Sequence, residues 1–222
     1  MSRTHKPVDR IQRNLLANAE RRLLNWMCAR LPASVTPDDL TTLGFIGALT
    51  ISAGYVLSLW SVNFLWLAIT GYFIHWLGDS LDGSVARYRK IERPKFGYFI
   101  DHSTDALANL IFLGGLGVSP YVRLDVALFA LIGYFMLSIH AFLAARVVSE
   151  MRLSYLAGGP TELRLILIVM TLLMIFFGNV PSFVPGMSAY DVFVGGVGIL
   201  MVILFIIQTT KTARELLRTG EL

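Results

Sequence analysis

The chain is poor in charge. Asp, Glu, Lys and Arg make up only 15% of its 222 residues, against 55% hydrophobic residues, whereas a soluble domain carries about 25% charged residues. Too little polar surface remains to face water all round, which excludes a soluble globular protein and a disordered chain. Cysteine is nearly absent as well. Cys28 stands alone, so no disulfide within the chain constrains the fold, and a secreted disulfide scaffold is excluded. The first 40 residues lack the apolar core that a cleavable signal peptide needs. No low-complexity segment or internal repeat interrupts the sequence, and one domain over residues 1–222 is the simplest account. The formal charge of +4 matches the basic anchors of a membrane chain and calls for no nucleic-acid partner. With a mean hydropathy of +0.63, the composition is that of an integral membrane protein.

Long charge-free runs mark where such a chain crosses the bilayer. Between Asp39 and Asp79 there is no Asp, Glu, Lys or Arg. That length holds two spans, each needing about 20 apolar residues, with a turn at the polar break Ser61-Val62-Asn63. Further runs at Ala106–Val122, Val126–Ala145, Leu165–Val180 and Val192–Ile207 complete the set. An all-α, polytopic fold with six transmembrane helices is predicted, at about 41–60, 64–89, 96–118, 124–150, 162–180 and 190–215. The runs are continuous, where a membrane barrel would alternate.

Orientation follows from the basic residues. Arg123 alone falls on one side; every other Lys and Arg lies in the N-terminal segment, between the second and third helices, around the loop flanked by Arg146, Arg152 and Arg164, or at Lys211, Arg214 and Arg218. The positive-inside rule places both termini and the turn between the second and third helices in the cytoplasm, at the inner membrane if the source is bacterial. Residues 1–40 read as a juxtamembrane segment ahead of a 41–215 bundle. Within it Val8–Leu31 reads as an amphipathic helix, with Ile11, Leu15, Leu16, Leu23, Leu24, Met27 and Leu31 at helical spacing and Arg10, Arg13, Arg21 and Arg22 between them. Such a helix can lie in the headgroup plane against anionic lipid, or simply fix topology.

The chemistry concentrates between Gly78 and Asp105. Asp79, Asp82, Gly83 and Ala86 stand at i, i+3, i+4 and i+7 of one helix, and Gly97, Asp101, Asp105 and Asn109 recur every four residues on the next. A short loop makes the helices antiparallel neighbours, so four carboxylates meet at the cytoplasmic edge of the bilayer. Unpaired, each would cost about 2.5–3.5 kcal/mol at mid-membrane, less near the interface, and they repel one another. Divalent cations answer both problems. Hard oxygen ligands favour Mg²⁺ or Mn²⁺, and two carboxylates from each helix suit a pair of ions. The small residues let a bulky charged group approach the backbone, and Arg87 offers a fixed cation to a phosphate oxygen.

The run Asp79-x2-Asp82-Gly83-x2-Ala86-Arg87-x9-Gly97-x3-Asp101-x3-Asp105 resembles the signature of the CDP-alcohol phosphotransferase family, with all eight residues present. The six-helix layout resembles the family more loosely over most of the chain. The resemblance implies a membrane transferase of phospholipid synthesis, in which an alcohol hydroxyl attacks a CDP-linked donor and CMP is released. It implies that Asp79, Asp82, Asp101 and Asp105 hold the metal ions, with Asp105 also the catalytic base. It further implies that Gly83, Ala86 and Arg87 bind CDP, and that the enzyme is a homodimer. Phosphoryl transfer is mostly positioning and charge stabilisation, which such a site supplies.

Two weaker likenesses flank this motif. Thr36-Pro37-Asp38-Asp39-Leu40-Thr41 is similar to a Thr-Pro-Asn-x-x-Thr run near the nucleotide, with Asp38 in place of Asn and Thr41 as a CDP contact. The same residues also make an ordinary helix start. Gly159-Pro160-Thr161-Glu162 is similar to a run in choline- and ethanolaminephosphotransferases, and also suits a helix N-terminus. Glu162, Arg146 and His140 are the candidate acceptor residues, the arginine doubling as a topology anchor. His75 and His102 read as supports of the metal shell or as interfacial polar groups, the latter favoured for His102. Trp26, Trp60, Trp66 and Trp76 read as belt or core residues.

Three functions remain open at this point. The first transfers a phosphatidyl group from CDP-diacylglycerol to a small alcohol; the second transfers a CDP-choline- or ethanolamine-type headgroup to diacylglycerol. A cation transporter or metal-binding membrane protein would use the same aspartates. It gives no reason for Gly83, Ala86, Arg87 and Gly97 at these spacings.

Overall fold

The structure is a computed structural model that describes residues 9–11, 17–147, 150–152 and 160–219. Seven α-helices account for most of them: α1 (Ala17–Cys28), α2 (Pro37–Leu57), α3 (Leu65–Arg89), α4 (Pro94–Val118), α5 (Leu124–Val147), α6 (Pro160–Phe177) and α7 (Ala189–Thr219). A three-residue strand β1 (Asp9–Ile11) pairs in parallel with β2 (Glu150–Arg152), Asp9 opposite Glu150. The fold class is all-α, and α2–α7 correspond to the six expected helices.

Local chemistry sets the helix ends. Thr36 caps α2: its hydroxyl accepts from the Asp39 amide at 3.2 Å, and Asp39 accepts from the Thr36 amide at 2.9 Å. With Pro37 opening the first turn, this reciprocal cap starts the helix four residues before the expected 41. The expected turn at Ser61-Val62-Asn63 is a 3₁₀ helix, Val62–Phe64, nucleated by the Ser61 hydroxyl. Lys90, left-handed at φ 56°, ends α3, and Pro94 opens α4 after only four linking residues.

Small residues decide how α2 and α3 pack. A methyl added at Gly78 would overlap Gly44, one at Gly47 would overlap the backbone of His75, one at Gly71 would meet Ile51, and one at Gly54 would meet Ala68. Absent side chains let the two backbones touch along their length. In lipid, which offers no hydrophobic gain between apolar helices, such close approach is a main source of cohesion. Around this pair Ile51, Tyr55, Leu65, Tyr72, Leu116 and Met174 are fully buried. Tyr55 shares its hydroxyl with Thr171 of α6 at 2.6 Å and with Tyr72 at 3.2 Å, so the polar atoms of this core satisfy one another. At the end remote from the α3–α4 loop, buried Asp191 accepts the amides of Ser188 and Arg123 at 2.8 and 2.7 Å, tying the α7 start to the α4–α5 loop.

One expectation is corrected and another is met in part. Among the described residues the helix read over Val8–Leu31 covers Ala17–Cys28: Asp9–Ile11 is a strand, and the chain turns at Ala29 before Pro32. Val8, Leu15 and Leu16 lie outside the described residues, as do Arg3, Lys6 and Arg13. Leu24, Met27, Cys28 and Leu31 pack on Leu81 and Val85 of α3, while Arg21, Arg22 and Trp26 face outward. Of the six expected spans, three are long and apolar enough on their own among the described residues: α2, α5 and residues 189–218 of α7. The aspartates carried by α3 and α4 keep those two helices below that mark. Large apolar side chains nevertheless point outward all along the bundle, among them Phe73, Ile132, Phe176 and Ile206, each more than half exposed.

Candidate active site

The antiparallel pair α3–α4 delivers the carboxylates as the helical spacing requires. Asp79 and Asp82 line a cleft with Asp105, whose other walls are Thr41, Gly44, Phe45, His75 and Thr104. Ligand atoms of Asp101, His102 and Asp105 lie within 4.8 Å of one another. Asp105 of α4 faces Asp79 and Asp82 of α3 across the cleft and stands beside Asp101 on its own helix. All four signature aspartates thus share one site. It is a concentration of hard, anionic oxygen donors with one imidazole, which fits a divalent cation of the oxygen-loving class.

Asp82 is oriented from outside its own helix, and Asp101 by its neighbour on α4. The Thr41 hydroxyl donates to Asp82 at 2.7 Å, so the helix-start residue of α2 reaches the second aspartate of α3. His75, buried one turn before Asp79, holds the Gly44 carbonyl at 3.0 Å through Nδ1 and fixes the α2–α3 contact beside the cleft. The His102 Nδ1 lies 3.4 Å from Asp101, and its ring packs between Tyr98 and Phe142 at centroid distances of 4.4 and 5.0 Å. The bland role favoured for His102 therefore gives way to a place in the carboxylate cluster. Its neighbour position on the helix does not turn it away, because imidazole reaches sideways to Asp101.

The small residues of the signature behave differently from one another. A methyl at Gly83 would lie 3.1 Å from the Arg87 guanidinium, which folds back over the glycine and also bonds the Ser84 hydroxyl at 3.3 Å. At Gly97 a methyl would meet nothing within 4 Å. Packing therefore gives no reason for glycine at 97; open space beside the carboxylates remains. Asp38, where the similar run has Asn, is ion-paired with Arg93 at the mouth of the α3–α4 loop. The charge exchanged into that position has an internal use.

Of the acceptor candidates, Arg146 is exposed at the end of α5 and Glu162 lies half-buried in the first turn of α6. His140 is buried with its Nδ1 3.3 Å from the Thr209 hydroxyl and its ring edge-on to Phe205; it faces α7 and does not line the cleft. Gly159 lies outside the described residues, while Thr161 donates to Glu20 at 3.0 Å.

Sequence reasoning missed the strongest partner in the site. Arg164, counted only as a topology anchor, turns into the bundle and ion-pairs with Asp79, the two side chains being 12% and 20% exposed. A usable signal existed: an arginine inside the first turn of an otherwise apolar helix must face protein rather than lipid. Arg89 was read the same way, yet its guanidinium binds the carbonyls of Leu31, Pro32 and Val35 at 3.1, 2.8 and 2.6 Å and fastens the α1–α2 loop to the end of α3. Trp76, read as belt or core, donates its indole N–H to Glu20 at 2.9 Å.

Comparison with known proteins agrees with this geometry. The family model for CDP-alcohol phosphatidyltransferase matches residues 34–211. The archaetidylinositol phosphate synthase of Pyrococcus horikoshii is 36% identical over 104 residues, 47% of this chain and 52% of that protein. The enzyme of that name from Methanothermobacter thermautotrophicus is 32% identical over 111 residues, 50% of this chain and 53% of the relative. The chain spans about half the length of the curated relatives it matches.

Proposed function

Because the chain belongs to the CDP-alcohol phosphatidyltransferase family, we propose that it transfers a phosphatidyl group from a CDP-linked lipid to a small alcohol in phospholipid synthesis, releasing CMP. The observation that carries this reading is the convergence of Asp79, Asp82, Asp101 and Asp105 from α3 and α4, with an open space at Gly97. The names of the relatives point to an inositol phosphate as the acceptor. They favour the phosphatidyl version over headgroup transfer to diacylglycerol, and Thr161 of the Gly-Pro-Thr-Glu run is already engaged by Glu20. Three apolar helices and the family support an integral membrane protein. On our reading α3, α4 and α6 complete six spans by burying their charged faces, both termini and the cleft face the cytoplasm, α1 lies in the headgroup plane, and two copies form a homodimer.

In the reaction the acceptor oxygen attacks the lipid-bearing phosphorus, the bond from that phosphorus to the bridging oxygen breaks, and CMP leaves with the electron pair. Asp79, Asp82, Asp101 and Asp105 would hold Mg²⁺ or Mn²⁺, two ions by the count of carboxylates; bound there, the ions neutralise the diphosphate and the charge developing on the leaving oxygen. Asp105 orients the acceptor hydroxyl and takes its proton late, as a weak base does. Thr41 keeps Asp82 turned into the cleft. The Gly83 and Ala86 surface admits cytidine, with Arg87 swinging off Gly83 to meet a phosphate oxygen.

The test is CMP release by the purified protein in lipid, with CDP-diacylglycerol against inositol phosphate, glycerol phosphate and serine, in Mg²⁺ or Mn²⁺. Metal-dependent release with inositol phosphate, reduced about 10²–10⁴-fold in Asp105→Asn as expected for loss of a general base, is the predicted result. Protein that is folded yet neither binds CDP nor releases CMP with any acceptor would overturn the reading.

A further inference from the structure

Two polar rungs lace the first turn of α6 to α3. Thr161 and Arg164 stand three residues apart on α6, and Trp76 and Asp79 stand three apart on α3, so each pair shares a helix face. The second rung is the direct Arg164–Asp79 ion pair. The first is indirect. The indole N–H of Trp76 and the hydroxyl of Thr161 both donate to a single oxygen, Oε1 of Glu20, at 2.9 and 3.0 Å. Glu20 belongs to neither helix; it comes from the first turn of α1, which is itself seated on α3 through Leu24, Met27 and Cys28. Two donors meeting one acceptor in a weakly screened place form a mutually dependent unit, and losing the acceptor orphans both.

We infer that Glu20 is a positioning residue: it clasps the start of α6 to α3 and so determines whether Arg164 reaches Asp79. This rests on the reading of Asp79 as a metal ligand. Arg164 is then a built-in counter-charge that competes with the divalent cation for Asp79, and the seating of α1 adjusts that competition. Releasing the clasp lets Arg164 withdraw. The cation meets a less neutralised carboxylate and binds more tightly, while turnover falls because Asp79 is no longer held in one orientation. The sign separates this role from a merely structural one, since a loosened fold weakens metal binding.

The experiment uses the full-length protein in nanodiscs, with Mn²⁺ alone as probe, read by the EPR signal of the free ion, together with kcat and KM for CMP release. In Glu20→Ala, Mn²⁺ affinity is expected to rise roughly three- to tenfold, the worth of one ordinary hydrogen bond, with kcat reduced and KM for the acceptor little changed. Trp76→Phe and Thr161→Val each remove one donor without the packing, and should move both quantities the same way by less. Arg164→Gln should reproduce the tighter binding. Glu20→Gln keeps a carbonyl oxygen for both donors and should stay near wild type. Wild-type Mn²⁺ affinity, or weaker, in Glu20→Ala and both donor variants overturns the inference, and so does Glu20→Gln falling as far as Glu20→Ala. If the wild-type protein neither binds Mn²⁺ nor releases CMP, the transferase reading fails first, and that result is visible before any variant is made.

Discussion

Replacing Gly78 by alanine separates packing from chemistry more cleanly than any change to a carboxylate. The new methyl would overlap the Gly44 backbone and crowd the Leu40 carbonyl, so no side-chain rotation relieves it and α2 must move away from α3. Overpacking of this kind costs about 1–3 kcal/mol. At about 2–4 °C per kcal/mol for a chain of this size, the melting point should fall by about 2–12 °C. The displaced helix carries Thr41, whose 2.7 Å bond to Asp82 stretches with it, so activity falls along with stability. Gly97→Ala is the matched control. Its methyl meets nothing within 4 Å, and alanine in a helix is favoured over glycine by about 0.5–1 kcal/mol, so the melting point should hold or rise slightly. Activity should nevertheless fall, because on the proposed reading that space receives the substrate. The chain supplies its own reporter: Cys28 is the only cysteine and is buried between α1 and α3, so a thiol-reactive dye reads unfolding at one known place. A Gly78→Ala protein that melts with wild type would refute the close α2–α3 contact. A Gly97→Ala protein that melts low, or turns over normally, would refute the assignment of that space to substrate.

Two further outcomes follow from the same geometry. Thr41→Val keeps the shape and removes the donor to Asp82; a hydrogen bond to a charged group is worth about 1.5–3 kcal/mol, so the Mn²⁺ concentration needed for half-maximal CMP release should rise about tenfold or more, with Thr41→Ser restoring it. The Cys28 thiol is pushed above its ordinary value by burial, only partly opposed by the positive charges of Arg87 and Arg89. In the folded protein it should therefore react with maleimide at pH 7 far more slowly than a free thiol and speed up as pH rises, which mass spectrometry of the labelled chain follows directly.

What could be read from the sequence was whatever a local period or a short-range cap encodes. The 39–79 charge gap, Ser61, Pro94 and the Gly78–Asp105 signature place α2, α3 and α4 to within a few residues, because each depends on neighbours in the chain. The start of α2 came four residues early because Thr36 and Asp39 cap one another, a pattern noted as an ordinary helix start and not carried into the boundary. The residues that escaped, Glu20, Arg89 and Arg164, act across separations of 56 to 141, 54 to 58 and 85 positions. The place of Arg164 early in an apolar helix says that it faces protein, but nothing in its segment or in that of Arg89 names the carboxylate or the carbonyls bound; only the packing of α1 and α6 on α3 does. The overlong amphipathic helix has the converse cause. Apolar spacing continues through Ile11, but pairing of Asp9–Ile11 with Glu150–Arg152 uses backbone groups that a helix would need.

The arrangement also explains why a charged site sits beside the most intimate helix contact in the molecule. Four carboxylates at one place repel, and a pair of helices held only by side-chain packing would open to relieve them. Here the glycines of α2 and α3 bring the backbones together directly, so Asp79 and Asp82 stand on a helix that has no room to retreat. The α4 side is not interlocked at the site: Gly97 meets nothing within 4 Å, and residues 91–99 are exposed. Repulsion among the carboxylates is thus resisted on the α3 wall of the cleft. On the proposed reading, the α2–α3 contact fixes Asp79 and Asp82 on one wall, while Asp101 and Asp105 stand opposite them on a helix whose first residues are exposed.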